Sequence, residues 1–290
     1  MKEMAFQLAE RQLAGLSAGV SEDEKPLLLF LHGWQDNAAS FSALFPQLGH
    51  HYRLMALDWP GHGHSERRDG DNYYHFADYL DDLHQVINQL ECRSLVLVGH
   101  SLGALVASAY CGAFPEKVAG LVLIEGLGPL YEAPENAIQR LRDGILSRQR
   151  FRTKQQQKPR RAMRSLEQAI ALRCNINHVT PEQIRPLVER GVVEIDGAWY
   201  WRHDERLRCD SLYRMTKAHS EAYLREISCP VLSIVGEQGF PRLQQRAPEL
   251  EWIPDIQQVT VSGGHHCHLE SPLTVCEQIM LYVSKIESLV

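Results

Sequence analysis

Gly99-His100-Ser101-Leu102-Gly103 places a serine between glycines two residues away on either side. The pattern G-x-S-x-G is common by chance, but here it follows an apolar run, Leu95 to Val98, and opens a small-residue stretch beginning at Ala104. A chain that turns sharply from strand to helix needs those glycines, because side chains there would collide with neighbouring backbone. The turn projects the serine Oγ from the carboxyl end of a sheet, at a helix N-terminus. Free N–H groups and the helix dipole there favour developing negative charge. A serine hydroxyl is a poor nucleophile without a base, and the base needs a third group to orient it. Gly263-Gly264-His265-His266-Cys267-His268 follows the last apolar run, and His265, first after the glycine pair, is the predicted base. His266 and His268 are fallback candidates, otherwise structural or lining residues.

The elements that must position these residues are short strands alternating with helices. Leu27 to Leu31, Arg53 to Asp58, Leu95 to Gly99 and Leu121 to Ile124 are nearly continuous apolar runs, repeated at Val231 to Val235 and Gln258 to Val261. Such runs suit strands covered on both faces, as in a parallel sheet. Phe6 to Leu8 and Leu13 to Leu16 are brief enough to form a hairpin. Phe76, Leu80, Leu83, Ile87 and Leu90 recur at three- and four-residue spacing and predict an amphipathic helix. Ser40 to Leu48 and Leu102 to Ala113 are further predicted helices. Strand–helix alternation implies right-handed crossovers and an α/β fold with a mostly parallel sheet.

After Gly126 the rhythm breaks. To about Ile227 the chain reads as helical, with Gly191 to Ile195 the one candidate strand. Residues 140–164 hold ten basic residues and one acidic, Asp143, a local charge of +9 against −6 for the whole chain, so the remainder carries −15. A solvated face explains such a run; so does a positive collar that draws anionic substrates or an acidic partner.

Composition narrows the classes. The 290 residues are 44% apolar and 23% charged, as in an ordinary globular protein rather than a disordered or collagen-like chain. Thirty basic against thirty-six acidic residues argue against a chain devoted to nucleic-acid binding. The apolar runs are too short to span a bilayer, and the first fifteen residues interleave charge with apolar side chains, unlike a signal peptide. Seven scattered cysteines without CxxC spacing suit free thiols and a cytoplasmic, reducing setting.

From about Leu27 onward the chain resembles the α/β-hydrolase superfamily, and within it the serine hydrolase-like subgroup. His32-Gly33-Trp34, Asp58-Trp59-Pro60-Gly61-His62-Gly63-His64-Ser65, the turn at Ser101, Gly264-His265 and His268-Leu269-Glu270 carry the likeness. His32 to Phe41 and, more weakly, Arg202-His203-Asp204-Glu205-Arg206-Leu207 resemble the subgroup. The resemblance implies an α/β-hydrolase fold, with a mostly parallel eight-stranded sheet, helices on both faces and a helical cap insertion. The core would be 1–126 and 228–290, and the cap 127–227, setting substrate choice. It also implies an oxyanion hole from the backbone N–H groups of Trp34 and Leu102, the Trp34 side chain being free to pack as a core aromatic. Asp58 to Ser65 would be a structural turn.

The family usually places its acid about three residues past the glycine that ends the strand at Val235, where this chain has Gly239. Some relatives place it after the preceding strand, where Leu121 to Ile124 runs into Glu125. Glu125 is therefore assigned as the acid, with Glu237 as the alternative; Ser101, Glu125 and His265 keep the Ser…Asp/Glu…His order of the fold. The leading expectation is a serine hydrolase cleaving a carboxylic ester or related acyl bond of a small molecule through an acyl-enzyme, without cofactor or metal. Thioesterase and carbon–carbon bond hydrolase chemistry use the same triad, and a non-catalytic binding protein of this fold is a further alternative. His62-x-His64 continues with Ser65-Glu66-Arg67 rather than the Asp-His of a binuclear metallohydrolase, and a dehalogenase would carry aspartate at 101.

Overall fold

The computed structural model describes residues 1–22, 24–70, 72–157, 161–244 and 247–288. Its strands are β1 (Lys2–Gln7), β2 (Gln12–Gly19), β3 (Leu27–Leu31), β4 (Arg53–Leu57), β5 (Leu95–His100), β6 (Gly120–Ile124), β7 (Val192–Ile195), β8 (Ala198–Trp201), β9 (Val231–Gly236) and β10 (Ile256–Val261). Eight of them form one sheet in the order β1-β2-β4-β3-β5-β6-β9-β10. The β1–β2 and β2–β4 pairs are antiparallel; the pairs from β4 through β3, β5, β6 and β9 to β10 are parallel. The longer helices are α1 (Phe76–Ile87), α2 (Leu102–Ala113), α3 (Ala137–Gln157), α4 (Leu166–Asn177), α5 (Pro181–Gly191), α6 (Lys217–Arg225) and α7 (Pro272–Glu287).

The continuous apolar strands are buried on both faces because strand residues alternate sides. Leu27, Leu29 and Leu31 belong to the core packed with α1 and α2, whereas Leu28 and Phe30 pack in the core with α7 and the 38–48 segment. Each fully buried leucine contributes roughly 1.5–3 kcal/mol relative to an exposed one, so helices are held to both faces. The helix predicted over Ser40 to Leu48 is not a single helix. The chain there divides into a 3-10 turn, Ala38–Phe41, and one helical turn, Phe45–Leu48, with proline in its first turn. The helix α1 stops at Ile87, short of Leu90, and buries Tyr79, Leu83 and Val86.

Residues 127–227 hold α3 to α6 and a separate antiparallel ribbon, β7–β8. The ribbon turns at Asp196-Gly197, both with positive φ (51° and 75°), as a tight hairpin requires. Arg190 of α5 donates to both oxygens of buried Asp58, Nε to Oδ2 at 2.9 Å, and reaches Glu3 at 2.7 Å. Asn37 Nδ2 donates to the Leu187 carbonyl at 2.8 Å. Buried Asp204 pairs with Arg206 at 2.6 Å and accepts from Tyr74 Oη at 2.9 Å, while its amide donates to the Gly61 carbonyl at 2.8 Å. The Asp58–Ser65 turn and the Arg202–Leu207 segment are thus two halves of one joint. Parts of the basic run are already engaged: Arg140 makes a two-pronged pair with Glu132, Arg150 lies near Asp210, and Arg148 stacks over Tyr73 at 3.9 Å. Lys158 and Arg160 lie outside the described residues. Among the described residues no helix is long and apolar enough to cross a membrane.

Candidate active site

The ends of β5 and β6 place two strained residues side by side. Ser101 follows β5 with φ 49°, and Glu125 follows β6 with φ 51°; neither is glycine, and such backbone costs about 1–3 kcal/mol per residue. Each turn is held to the next strand, Ser101 N donating to the Ile124 carbonyl and Glu125 N to that of Ile234, both at 2.9 Å. The elbow is tight enough that a Cβ at Gly103 would run into the Leu31 carbonyl. Gly33 approaches from the other direction with a tight but lesser fit: a Cβ there would lie 3.0 Å from His100 Nδ1 and 3.2 Å from Ser101 Cβ.

Glu125 is 2% exposed, and its carboxylate is fixed by three partners. Oε1 accepts from Gly236 N at 2.7 Å, Oε2 from Phe240 N at 3.1 Å, and Oε2 also lies 3.2 Å from His265 Nδ1. A Cβ at Gly239 would overlap this carboxylate. The glycine at the usual acid position is therefore a spatial requirement: Glu125 fills the volume a side chain at 239 would need. Glu237 is exposed, its backbone tied to Val261 and Gln244.

His265 is 25% exposed and lines, with Ser101, Trp34, Gln238, Phe240, Ile176 and other residues, a cavity of about 620 Å³. Phe240 packs on its ring at 4.2 Å between centroids. Ser101 and His265 share this cavity without a hydrogen bond between them; such contacts in substrate-free sites often tighten only on binding. Among the described residues neither the Trp34 nor the Leu102 amide bonds another backbone carbonyl. The Trp34 side chain is not a core aromatic. It is 51% exposed, because the loop that brings Gly33 against Ser101 turns the next side chain outward along the cavity.

A second cluster adjoins the pair, and the sequence did not single out most of its members. Buried Asp36 accepts from Arg173 of α4 on Oδ1, while its Oδ2 lies 3.4 Å from His266 Nε2 and 3.8 Å from His100 Nδ1. Burial alone would push the Asp36 carboxyl up, but the His266 ring, Arg173 and His100 together hold it well below the usual carboxylate range. Burial, reinforced by the neighbouring imidazoles of His268, His265 and His266, holds His100 well below the ordinary histidine value. His268 is wholly buried, meets Ser40 Oγ at 2.9 Å, and is pushed down to about 3 by burial. His266 lines the cavity beside Asn177. His62 is buried against the Pro60 carbonyl at 3.0 Å, and His64 faces Glu3 at 3.8 Å. Asp36, His100 and Arg173 come from three separate segments, so no spacing in the sequence announces them.

A family profile described as alpha/beta hydrolase fold matches residues 26–272. A "Serine hydrolase-like protein" of Danio rerio is 27% identical over 259 residues, covering 87% of this chain and 79% of its own. A "Probable serine hydrolase" of Drosophila melanogaster is 28% identical over 282 residues, 91% of this chain and 82% of its own. A solved structure of a hypothetical protein from Pseudomonas aeruginosa PAO1 superposes with a TM-score of 0.87 at 33% identity, covering 98% of this chain and 100% of that one.

Proposed function

The chain belongs to the α/β-hydrolase fold family, and from that premise we propose that it is a serine hydrolase cleaving a carboxylic ester or related acyl bond of a small molecule through an acyl-enzyme. One observation carries the reading: His265 Nδ1 stands 3.2 Å from a buried glutamate whose two oxygens are each fixed by a backbone N–H. A carboxylate so held keeps the imidazole N–H on Nδ1 and leaves Nε2 free to take a proton.

In this mechanism Ser101 Oγ attacks the acyl carbon while its proton passes to His265 Nε2. The tetrahedral oxyanion is met by the N–H groups of Trp34 and Leu102, a pair whose loss of one member typically costs ~10²–10³ in turnover. The intermediate collapses as His265 returns the proton to the leaving group, which departs and leaves acyl-Ser101. Water then attacks the acyl carbon, gives its proton to His265, and releases the carboxylic acid and the free serine. Residues 127–227 act as a cap: α4 contributes Ile176 and Asn177 to the cavity lining, so this segment selects the acyl or leaving group. The seven cysteines are all free thiols, which favours a reducing, cytoplasmic setting.

Covalent labelling by a fluorophosphonate, read by intact mass, tests the reading without knowledge of the substrate. One adduct on the wild type and none on Ser101→Ala is the expected result. A folded wild type that takes no label would instead favour a non-catalytic binding protein, and a label persisting in Ser101→Ala would name another nucleophile.

A further inference from the structure

Asp36, His100 and His266 bring one carboxylate oxygen and two imidazole nitrogens within 4.8 Å of one another, all buried. Two of their polar atoms, Asp36 Oδ2 and His100 Nδ1, make no hydrogen bond to the protein. The conflict is sharper than a missing partner. His100 Nε2 lies 2.8 Å from the His265 carbonyl, which can only accept, so the ring proton is on Nε2. The lone pair of Nδ1 is therefore directed at the same space as a carboxylate oxygen 3.8 Å away. Two buried acceptors facing each other need a positive or donating group close by; His266 Nε2, 3.4 Å from Oδ2, approaches that oxygen but leaves His100 Nδ1 without a partner.

We propose that Asp36, His100 and His266 form a site for a divalent transition-metal ion of the Zn²⁺ class, beside the reactive serine. Donors bonded to a tetrahedral metal at ~2.0–2.1 Å are roughly 3.4 Å apart. The Asp36–His266 separation of 3.4 Å already has that value, and the Asp36–His100 separation of 3.8 Å exceeds it by a few tenths. Two imidazoles and a carboxylate without sulfur suit Zn²⁺, Ni²⁺ or Cu²⁺ rather than Ca²⁺ or Mg²⁺. The His100 N–H held by a backbone carbonyl is the outer support that metal-binding histidines use to fix ring and tautomer. Arg173 occupies Oδ1 of Asp36 and leaves Oδ2 for the ion, at the cost of a nearby like charge, so binding is reversible rather than structural. Asn177 Nδ2, 2.8 Å from His266 Nε2, must turn away; its Oδ1 is buried without a partner and gains from the rotation. All three ligands line the cavity of about 620 Å³, which gives the ion a path in and leaves its fourth position to water.

His100 precedes Ser101 and His266 follows His265, so a filled site draws in the neighbours of both reacting residues and slows the serine. That consequence rests on the hydrolase reading; the binding does not. Calorimetric titration of Ser101→Ala with Zn²⁺ is expected to saturate at one equivalent. His266→Gln, which spares the Asp36–Arg173 pair, should weaken binding at least tenfold, and replacing exposed His50 and His51 with Gln should not. Co²⁺ bound at the site should absorb in the visible without a thiolate charge-transfer band. No saturable binding, binding that survives His266→Gln, binding lost with His50 and His51, or a thiolate band would each overturn the site. Fluorophosphonate labelling of the wild type should then slow at least tenfold in saturating Zn²⁺ and recover with a chelator. Labelling unchanged while calorimetry reports a filled site would overturn the inhibition alone, and a wild type unlabelled even without metal would count against the hydrolase reading instead.

Discussion

Glu125 and Asp36 each bring a buried carboxylate to a histidine beside Ser101, yet their surroundings are opposite in kind. Both oxygens of Glu125 accept backbone N–H groups from the β9 end and the loop after it, and one also meets His265. Asp36 has an arginine on one oxygen and no hydrogen bond on the other. A carboxylate held by main chain has one orientation, because the donors cannot rotate away. A carboxylate held by a long side chain, with an oxygen left over, can accept something further. The first arrangement suits a group that must orient an imidazole in every turnover; the second suits a group that answers to what enters the cavity.

The comparison breaks first at Glu125. Glu125→Gln keeps the shape and removes the charge, and it should lower the rate of fluorophosphonate labelling by about 10⁴-fold. The circular dichroism spectrum should be retained and the melting temperature lowered, because the amide NH2 must face one of the two backbone N–H donors. A labelling rate close to wild type would mean that the main-chain donors hold a structural carboxylate and that the acid lies elsewhere.

Gly239 offers a way to sharpen it. Gly239→Asp alone should destabilise the fold and slow labelling, since its Cβ would overlap the Glu125 carboxylate. Emptying that volume reverses the sign: Gly239→Asp in a Glu125→Ala background should recover roughly 10- to 100-fold of the labelling rate lost by Glu125→Ala, a coupling expected only for residues competing for one space. No recovery would mean that the space, although shared, does not let residue 239 reach His265.

Asp36 should matter more to stability. Asp36→Ala leaves the Arg173 guanidinium buried without its partner and should cost about 3–5 kcal/mol in urea denaturation. Replacing both residues with apolar ones of similar volume should recover most of that. A loss below ~1 kcal/mol would place the pair among those that solvent screens.

How much of this was legible follows from range. β3, β5, β6 and β9 could be read because strands covered on both faces need unbroken apolar runs, and the turn at Ser101 could be read because its glycines are local necessities. Glycine at 239 was visible as a departure, but its reason was not, since the carboxylate filling its place comes from a residue more than a hundred positions away. The Asp36 cluster joins the loop after β3, the residue before Ser101, α4 and the loop after β10, and no periodicity connects those. The ribbon strand Ala198–Trp201 was missed although Asp196-Gly197 is a hairpin signal, because its four half-buried residues lack the alternation that marks a strand on a core. The place of the Trp34 side chain was left open by the sequence, which spoke only to its backbone N–H; that the ring is 51% exposed along the cavity wall depends on a loop path that composition cannot locate.

The side of the site beyond Asp36 should also be the more acid-labile. His32 and His62 lie there with ring centroids 5.0 Å apart, and burial pushes His32 down to about 4 and His62 down to about 3. Both stay neutral when folded but take protons when unfolded at the ordinary histidine value. Their contribution is therefore fully present above pH ~6.5 and is lost as the pH falls from there towards 4 for His32 and 3 for His62. Each adds a slope of up to about 1.4 kcal/mol per pH unit, so their share of the stability should fall from pH ~6.5 downwards, offset in part by Asp82, whose carboxyl is pushed up to about 6 by burial. His62→Gln, which cannot take up a proton, should make that decline shallower between pH 6 and 4 whatever it costs at pH 7. Denaturation curves run across that interval decide it, and an unchanged slope would mean that the buried histidines are protonated as readily in the fold as outside it.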